Sequence, residues 1–242
     1  STVLHRMGHT TITLQRNEFK EPKYPRFLIS LTKRLILKVL GKYKYPIFTE
    51  KQYIKDYPVF TQNTLGFVSR HIKTKIVDYA NPQIKESDFD AYVVGSDQVW
   101  RPDMGINRKK NVDRYFLKTV PPNCIPKIAF AASFGIDHWD FTDIETNTAQ
   151  NLINEFSYIS VRETSGIKLC SQFLRVNNAI QVLDPTMLLE ADYYKKILTK
   201  SPFKTQKQHC FTYLLDYNSP SNQNIINSLL HKDIELLTAK VE

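Results

Sequence analysis

DAYVVGSDQVW, residues Asp90 to Trp100, decides the class of fold. Its first half, Asp90 to Gly95, is a short run in which hydrophobic residues follow one another instead of alternating, the pattern of a strand covered on both faces. Gly95 permits a tight exit from the sheet, and Ser96, Asp97 and Gln98 then offer a hydroxyl, a carboxylate and an amide. The same grammar recurs downstream in Lys127 to Phe134 (KIAFAASF), Tyr158 to Val161 (YISV) and Ala179 to Leu183 (AIQVL). Between these runs the apolar spacing changes to that of helices. Thr142 to Phe156 carries Ile144, Ala149, Leu152, Ile153 and Phe156, and Thr164 to Phe173 carries Ile167, Leu169 and Cys170. Strands alternating with helices predict an α/β domain with a Rossmann-like parallel sheet and crossover helices.

Outward from this centre, Ser201 to Gln208 (SPFKTQKQ) reads as a linker. A strand over Cys210 to Leu215, a helix over Asn222 to Leu230 and a strand over Asp233 to Thr238 would follow it, the opening β-α-β of a second Rossmann-like domain. The expected division is 1–205 and 206–242, with the second domain only begun, because a unit of about 35 residues closes no core of its own. At the other end, Thr2 to Leu14 reads as the end of a helix, a glycine turn and a strand, so a first strand of the sheet is expected to be missing.

Of the 242 residues 42% are hydrophobic, enough to bury a full core. No run of 18 or more apolar residues and no signal-peptide pattern occurs, so a cytoplasmic protein is expected. Cys124, Cys170 and Cys210 form no C-x-x-C pair, and reduced, mostly buried thiols are expected. No metal-ligand set is visible among the scattered histidines. The formal charge of +9 is local: residues 1 to 80 hold 15 Lys and Arg against 5 Asp and Glu, the remainder 18 against 19. Its centre, Arg26 to Lys44, reads as a basic amphipathic helix. Either its apolar stripe packs on the core, or the helix meets an anionic membrane at the inner face. No RNP strand, zinc-finger spacing or helix-turn-helix accompanies the lysines, so no nucleic-acid partner is expected. Nor does a G-x-G-x-x-G follow a strand, which weighs against a nicotinamide dehydrogenase.

Open parallel sheets place ligands at the carboxyl ends of their strands. Four segments fall there: GSDQVW (Gly95 to Trp100), AASFG (Ala131 to Gly135), SVRE (Ser160 to Glu163) and LDPTMLL (Leu183 to Leu189). In this order, together with YFL (Tyr115 to Leu117) and ISVRETSG, they resemble the polysaccharide pyruvyl transferase family, over roughly Phe67 to Tyr194. VLHRMGHTTITL looks like that family's helix end and second strand. The resemblance implies a two-domain GT-B architecture and transfer of the enolpyruvyl group of phosphoenolpyruvate to a sugar, closing a ketal on two hydroxyls. It implies no cofactor besides that donor substrate, and a sugar or lipid-linked oligosaccharide as acceptor. The family's later His-containing segment has no counterpart before Glu242, so part of the donor site is expected to lie outside this sequence.

The implied reaction sets the residue types needed. A phosphate and a carboxylate call for a guanidinium, and Arg162 is the candidate; its alternative role is an ion pair with Glu163 or another acid. Asp97 is the candidate base and His138 a candidate proton donor or sugar ligand. Ser96, Gln98, Ser133, Glu163 and Asp184 are expected to bind substrate, although Asp184 before Pro185 also has the form of a rigid turn. Trp100 and Trp139 have flat faces suited to a pyranose ring or to core packing. Two other classes remain open: a GT-B glycosyltransferase using a nucleotide sugar, and a non-catalytic basic protein binding membrane or nucleic acid.

Overall fold

The computed structural model describes residues 1–16, 24–42, 47–77, 88–102, 108–120, 125–198, 209–214, 219–230 and 235–240. The chain divides into two compact units, Ser1–Leu188 and Leu189–Glu242. The linker read over Ser201 to Gln208 lies outside the described residues.

In the first unit a four-stranded parallel sheet has the order β3-β4-β5-β6, from β3 (Tyr92–Val94), β4 (Lys127–Ala132), β5 (Phe156–Val161) and β6 (Ile180–Gln181). Helices α4 (Arg108–Tyr115), α5 (Asp143–Ile153) and α6 (Thr164–Phe173) connect them. An α/β fold with parallel, Rossmann-like strands is therefore what the sequence builds. A separate parallel pair, β1 (Thr13–Arg16) and β2 (Thr74–Val77), belongs to the same unit, with α1 (Thr2–Arg6), α2 (Tyr24–Val39) and α3 (Thr49–His71) along the chain around it. Thr13 and Leu14 of β1 face Tyr92 and Val94 of β3 across a groove of about 350 Å³. The Tyr92 hydroxyl is buried there without a hydrogen-bond partner among the described residues.

Burial corrects one expectation. Only the central β4 is covered nearly throughout; in β3 Val93 is 48% exposed, in β5 Tyr158 is 72% exposed, and both residues of β6 are exposed. The edge strands β3 and β6 are covered on fewer sides, interior β5 is exposed only near its start at Ser157 and Tyr158, and an apolar run does not distinguish such positions from covered ones. The helix read over Thr142 to Phe156 ends at Ile153, because Phe156 already pairs with Lys127 in the sheet. Its start is fixed by a capping box in which the Thr142 hydroxyl accepts from the Glu145 N–H and the Glu145 carboxylate accepts from the Thr142 N–H.

The core holds Trp100, Phe116, Phe134, Ile153, Val161, Leu169 and Leu174. Trp100 is 1% exposed and stacks on Phe116, so it cannot present a face to a sugar. Trp139 is sandwiched between Phe141 and Phe173, at 4.4 and 4.7 Å between ring centroids, and its indole N–H donates to Thr146. Cys170 is fully buried; burial first, and then the nearby Glu163 carboxylate, push its thiol up to about 12, so it stays protonated.

The second unit contains α7 (Ala191–Leu198), β7 (His209–Leu214), α8 (Pro220–Leu230) and β8 (Glu235–Lys240), with β7 and β8 parallel over six residue pairs. This is the β-α-β expected after the linker.

Candidate active site

The sheet is parallel, so the loops after β3, β4, β5 and β6 leave from one edge, and two glycines lock the first two together. Gly95 has φ +140°, and a Cβ there would lie 1.9 Å from the Phe130 carbonyl oxygen of β4. Gly135 has φ +66°, and its Cβ would strike the Gln98 side chain at 2.4 Å. Backbone bonds complete the seam: the Ser133 N–H donates to the Asp97 carbonyl (3.3 Å) and the Trp100 N–H to the Ser133 carbonyl (3.1 Å). The glycine of GSDQVW is thus required by contact with the backbone of β4, and that of AASFG by contact with the first loop.

A bulge aims the end of β4. Ala131 adopts φ 51°, and the register with β5 shifts between Ala129 and Ala132. Ser160, buried in β5, accepts from the Ala131 N–H and donates to the Ala129 carbonyl, both at 3.0 Å, satisfying the backbone groups that the bulge unpairs. Beyond it the Arg162 N–H rejoins the Ala132 carbonyl at 3.1 Å.

Arg162 stands between two clefts. One, of about 630 Å³, is lined by Ser133, Gly135, Asp137, Arg162, Glu163 and Ser165; the other, of about 490 Å³, by Arg162, Gln181, Leu183, Asp184 and Met187 among others. The guanidinium donates to Asp184 Oδ2 at 2.8 Å and has no other side-chain partner among the described residues. The other Asp184 oxygen accepts from the Thr186 N–H (2.9 Å) and hydroxyl (2.7 Å). These contacts, the Thr186 backbone bond first and Arg162 next, hold the Asp184 carboxyl down at about 2. Gln181 ties the turn together, donating to the Arg162 carbonyl and accepting from the Thr164 hydroxyl.

Of the residues singled out in the sequence, Ser133, Arg162 and Glu163 share the first cleft, and Arg162 and Asp184 share the second. Glu163 accepts from the Phe134 N–H at 2.8 Å, bracing the β4 loop, and both Asp184 oxygens are engaged. Asp97 lines neither cleft; its carboxylate is exposed and accepts from the Gln98 N–H, while Gln98 accepts from Arg101. Ser96 lies in the same turn, half-buried. His138 is exposed and 3.2 Å from Asp137, which does line the first cleft. Asp137 and Ser165 escaped the sequence reading. Ser165 had a signal, as the second residue of the helix that opens after the strand-end Arg162–Glu163 pair; Asp137 had none beyond its place before His138.

The chemistry on offer is anion binding beside proton transfer: a guanidinium with unused donors, a buried serine hydroxyl and an Asp–His pair, around a cleft at the mouth of a parallel sheet. No curated protein and no solved structure matches the chain. The family model for polysaccharide pyruvyl transferase matches residues 4–239, nearly its whole length, and the chain belongs to the polysaccharide pyruvyl transferase family.

Proposed function

We propose that this enzyme transfers the enolpyruvyl group of phosphoenolpyruvate to a sugar of a polysaccharide or its lipid-linked precursor, in the cytoplasm at the inner face of the membrane. Arg162 carries the reading: it is the cleft cation whose fork is only partly used, and a guanidinium suits either anionic group of the donor. Asp184, itself held by Thr186, anchors that fork, and Ser133, whose hydroxyl accepts from the Gly135 N–H, lines the same cleft.

Protonation of the donor methylene makes its C2 electrophilic. A sugar hydroxyl adds there and loses its proton, and the C2–O bond to phosphate breaks with phosphate taking the electron pair. A second hydroxyl on C2 then closes the ketal, so two hydroxyls and one donor give one ketal and one phosphate. Proton delivery is assigned to His138, a reading supported by its place 3.2 Å from Asp137, which lines the cleft. Asp97, one turn away across the Ser133 seam, remains the base for a sugar entering from that side. The GT-B arrangement, with domains 1–205 and 206–242, is part of the proposal; the parallel β7-α8-β8 unit supports it.

The test is phosphate release. Phosphoenolpyruvate with lipid-linked or free oligosaccharide acceptors should yield one phosphate per acetal-type pyruvate found by mass spectrometry. Release of a nucleoside diphosphate from a nucleotide sugar, with no phosphate from phosphoenolpyruvate, would sink the proposal.

A further inference from the structure

Helix α2 wears its apolar face outward. At 100° per residue, Leu28, Thr32, Leu35, Ile36 and Val39 fall within an arc of about 100°. Leu28, Leu35, Ile36 and Val39 are 55%, 53%, 59% and 82% exposed. Ile29 and Leu40, on the rim of the arc, are exposed as well. The partly covered residues are Ser30, Leu31, Arg34 and Leu37; Ser30, Arg34 and Leu37 lie on the opposite side, where Arg34 donates to the Ile47 carbonyl, and Leu31 lies on the flank beside Lys38. An ordinary surface helix has the reverse orientation. Even the polar member of the arc has its hydroxyl turned to the helix, since the Thr32 O–H is placed to donate to the Leu28 and Ile29 carbonyls at 3.1 and 2.9 Å.

Charge says what covers this face. Lys33 and Lys38, both exposed, flank the arc on either side, and no acidic residue occurs from Tyr24 to Lys42. A protein partner could match such a surface only with an apolar strip bordered by acids on both sides; an anionic bilayer presents that combination everywhere. No helix among the described residues is long and apolar enough to cross a membrane, so the contact is in-plane.

We propose that α2 is the membrane-docking element, lying in the interface of an anionic bilayer with Leu28, Leu35, Ile36 and Val39 in the acyl boundary and Lys33 and Lys38 at the headgroups. This commits one of the two alternatives left by the sequence and does not rest on the transferase chemistry.

Co-sedimentation with vesicles of phosphatidylcholine, alone or with about one-third phosphatidylglycerol, tests it. At low salt the protein should bind the anionic vesicles at least about tenfold more tightly than the neutral ones. Val39→Asp should reduce that binding by tenfold or more with circular dichroism and Tm unchanged. Lys33→Glu with Lys38→Glu should reduce it at least as far, at about fivefold per lysine. An Ile36→Trp reporter should shift to the blue only with anionic vesicles. No binding at low salt, equal binding to neutral vesicles, or binding indifferent to Val39→Asp would each overturn the proposal. So would a concentration-dependent dimer that Val39→Asp abolishes in a protein with no affinity for vesicles, since the face would then belong to a second copy.

Discussion

Two ion pairs sit at opposite ends of the same sheet and are built on opposite principles. At the amino ends of β4 and β5, Lys127 is 1% exposed, and its ammonium donates to the Glu155 carboxylate, to the Val120 carbonyl at 2.7 Å and to the Leu117 carbonyl at 3.4 Å. Its three N–H groups all have acceptors, so the buried charge is fully answered. At the carboxyl ends, Arg162 and Asp184 are 32% and 27% exposed, both oxygens of the acid are engaged and most of the guanidinium's donors are not. A closed pair can only hold elements together. An open pair, braced from one side, can take a ligand on the other. Charge alone does not separate the two; donor accounting does.

The largest expected effect is at the closed end. Lys127→Met removes the cation and leaves two carbonyls without a donor, while Glu155, 26% exposed, turns to water, so the expected loss is about 2–3 kcal/mol, below that of a pair buried on both sides. Urea unfolding should show that loss, with any fall in transferase rate tracking the unfolded fraction. A change under about 1 kcal/mol would mean that water enters the site and that the closed end is not closed.

The open end should behave in the opposite sense. Arg162→Ala should lower phosphoenolpyruvate affinity tenfold to a hundredfold, as expected for one charge-assisted contact of about 1.5–3 kcal/mol, while unfolding shifts by no more than about 1 kcal/mol. Arg162→Lys should recover only part, because a point charge cannot replace a fork. Isothermal titration on variants shown folded by circular dichroism decides it. Unchanged donor affinity would make this pair structural too, and erase the contrast.

The contrast was only half legible in the sequence. GSDQVW, AASFG, SVRE and LDPT announced the open end because polar residues interrupt apolar runs there. The closed end left no trace: Lys127 looks like an ordinary strand start, and its acid stands 28 residues away. The bulge at Ala131 was invisible too, since alanine carries no signature of a left-handed φ. Periodicity found α2, but a period says which residues share a face, and not whether that face turns inward. Gly95 and Gly135 read as loop glycines, whereas their real constraint is a neighbouring segment far off along the chain, β4 for Gly95 and the loop after β3 for Gly135.

The smallest expected effect separates the two halves of the open pair. Asp184 accepts three hydrogen bonds, from Arg162 and from the Thr186 N–H and hydroxyl, and its expected role is to hold the guanidinium in place. Asp184→Asn keeps the shape but weakens that hold, and should raise the KM for phosphoenolpyruvate several-fold with kcat little changed. The pH dependence follows from the carboxyl lying at about 2, below its ordinary 3.8. A depressed carboxyl contributes stability that is complete above pH 4 and disappears as pH falls through 2. The stability gap between the native protein and Asp184→Asn should therefore be constant from pH 7 to about pH 4, at about 1 kcal/mol or less for so exposed a pair, and should close toward pH 2. Urea midpoints at several pH values measure it. A gap that stays open at pH 2 would show that the ionised form is not what matters. A kcat loss as large as that of Arg162→Ala would move Asp184 from behind the cation to the reacting atoms.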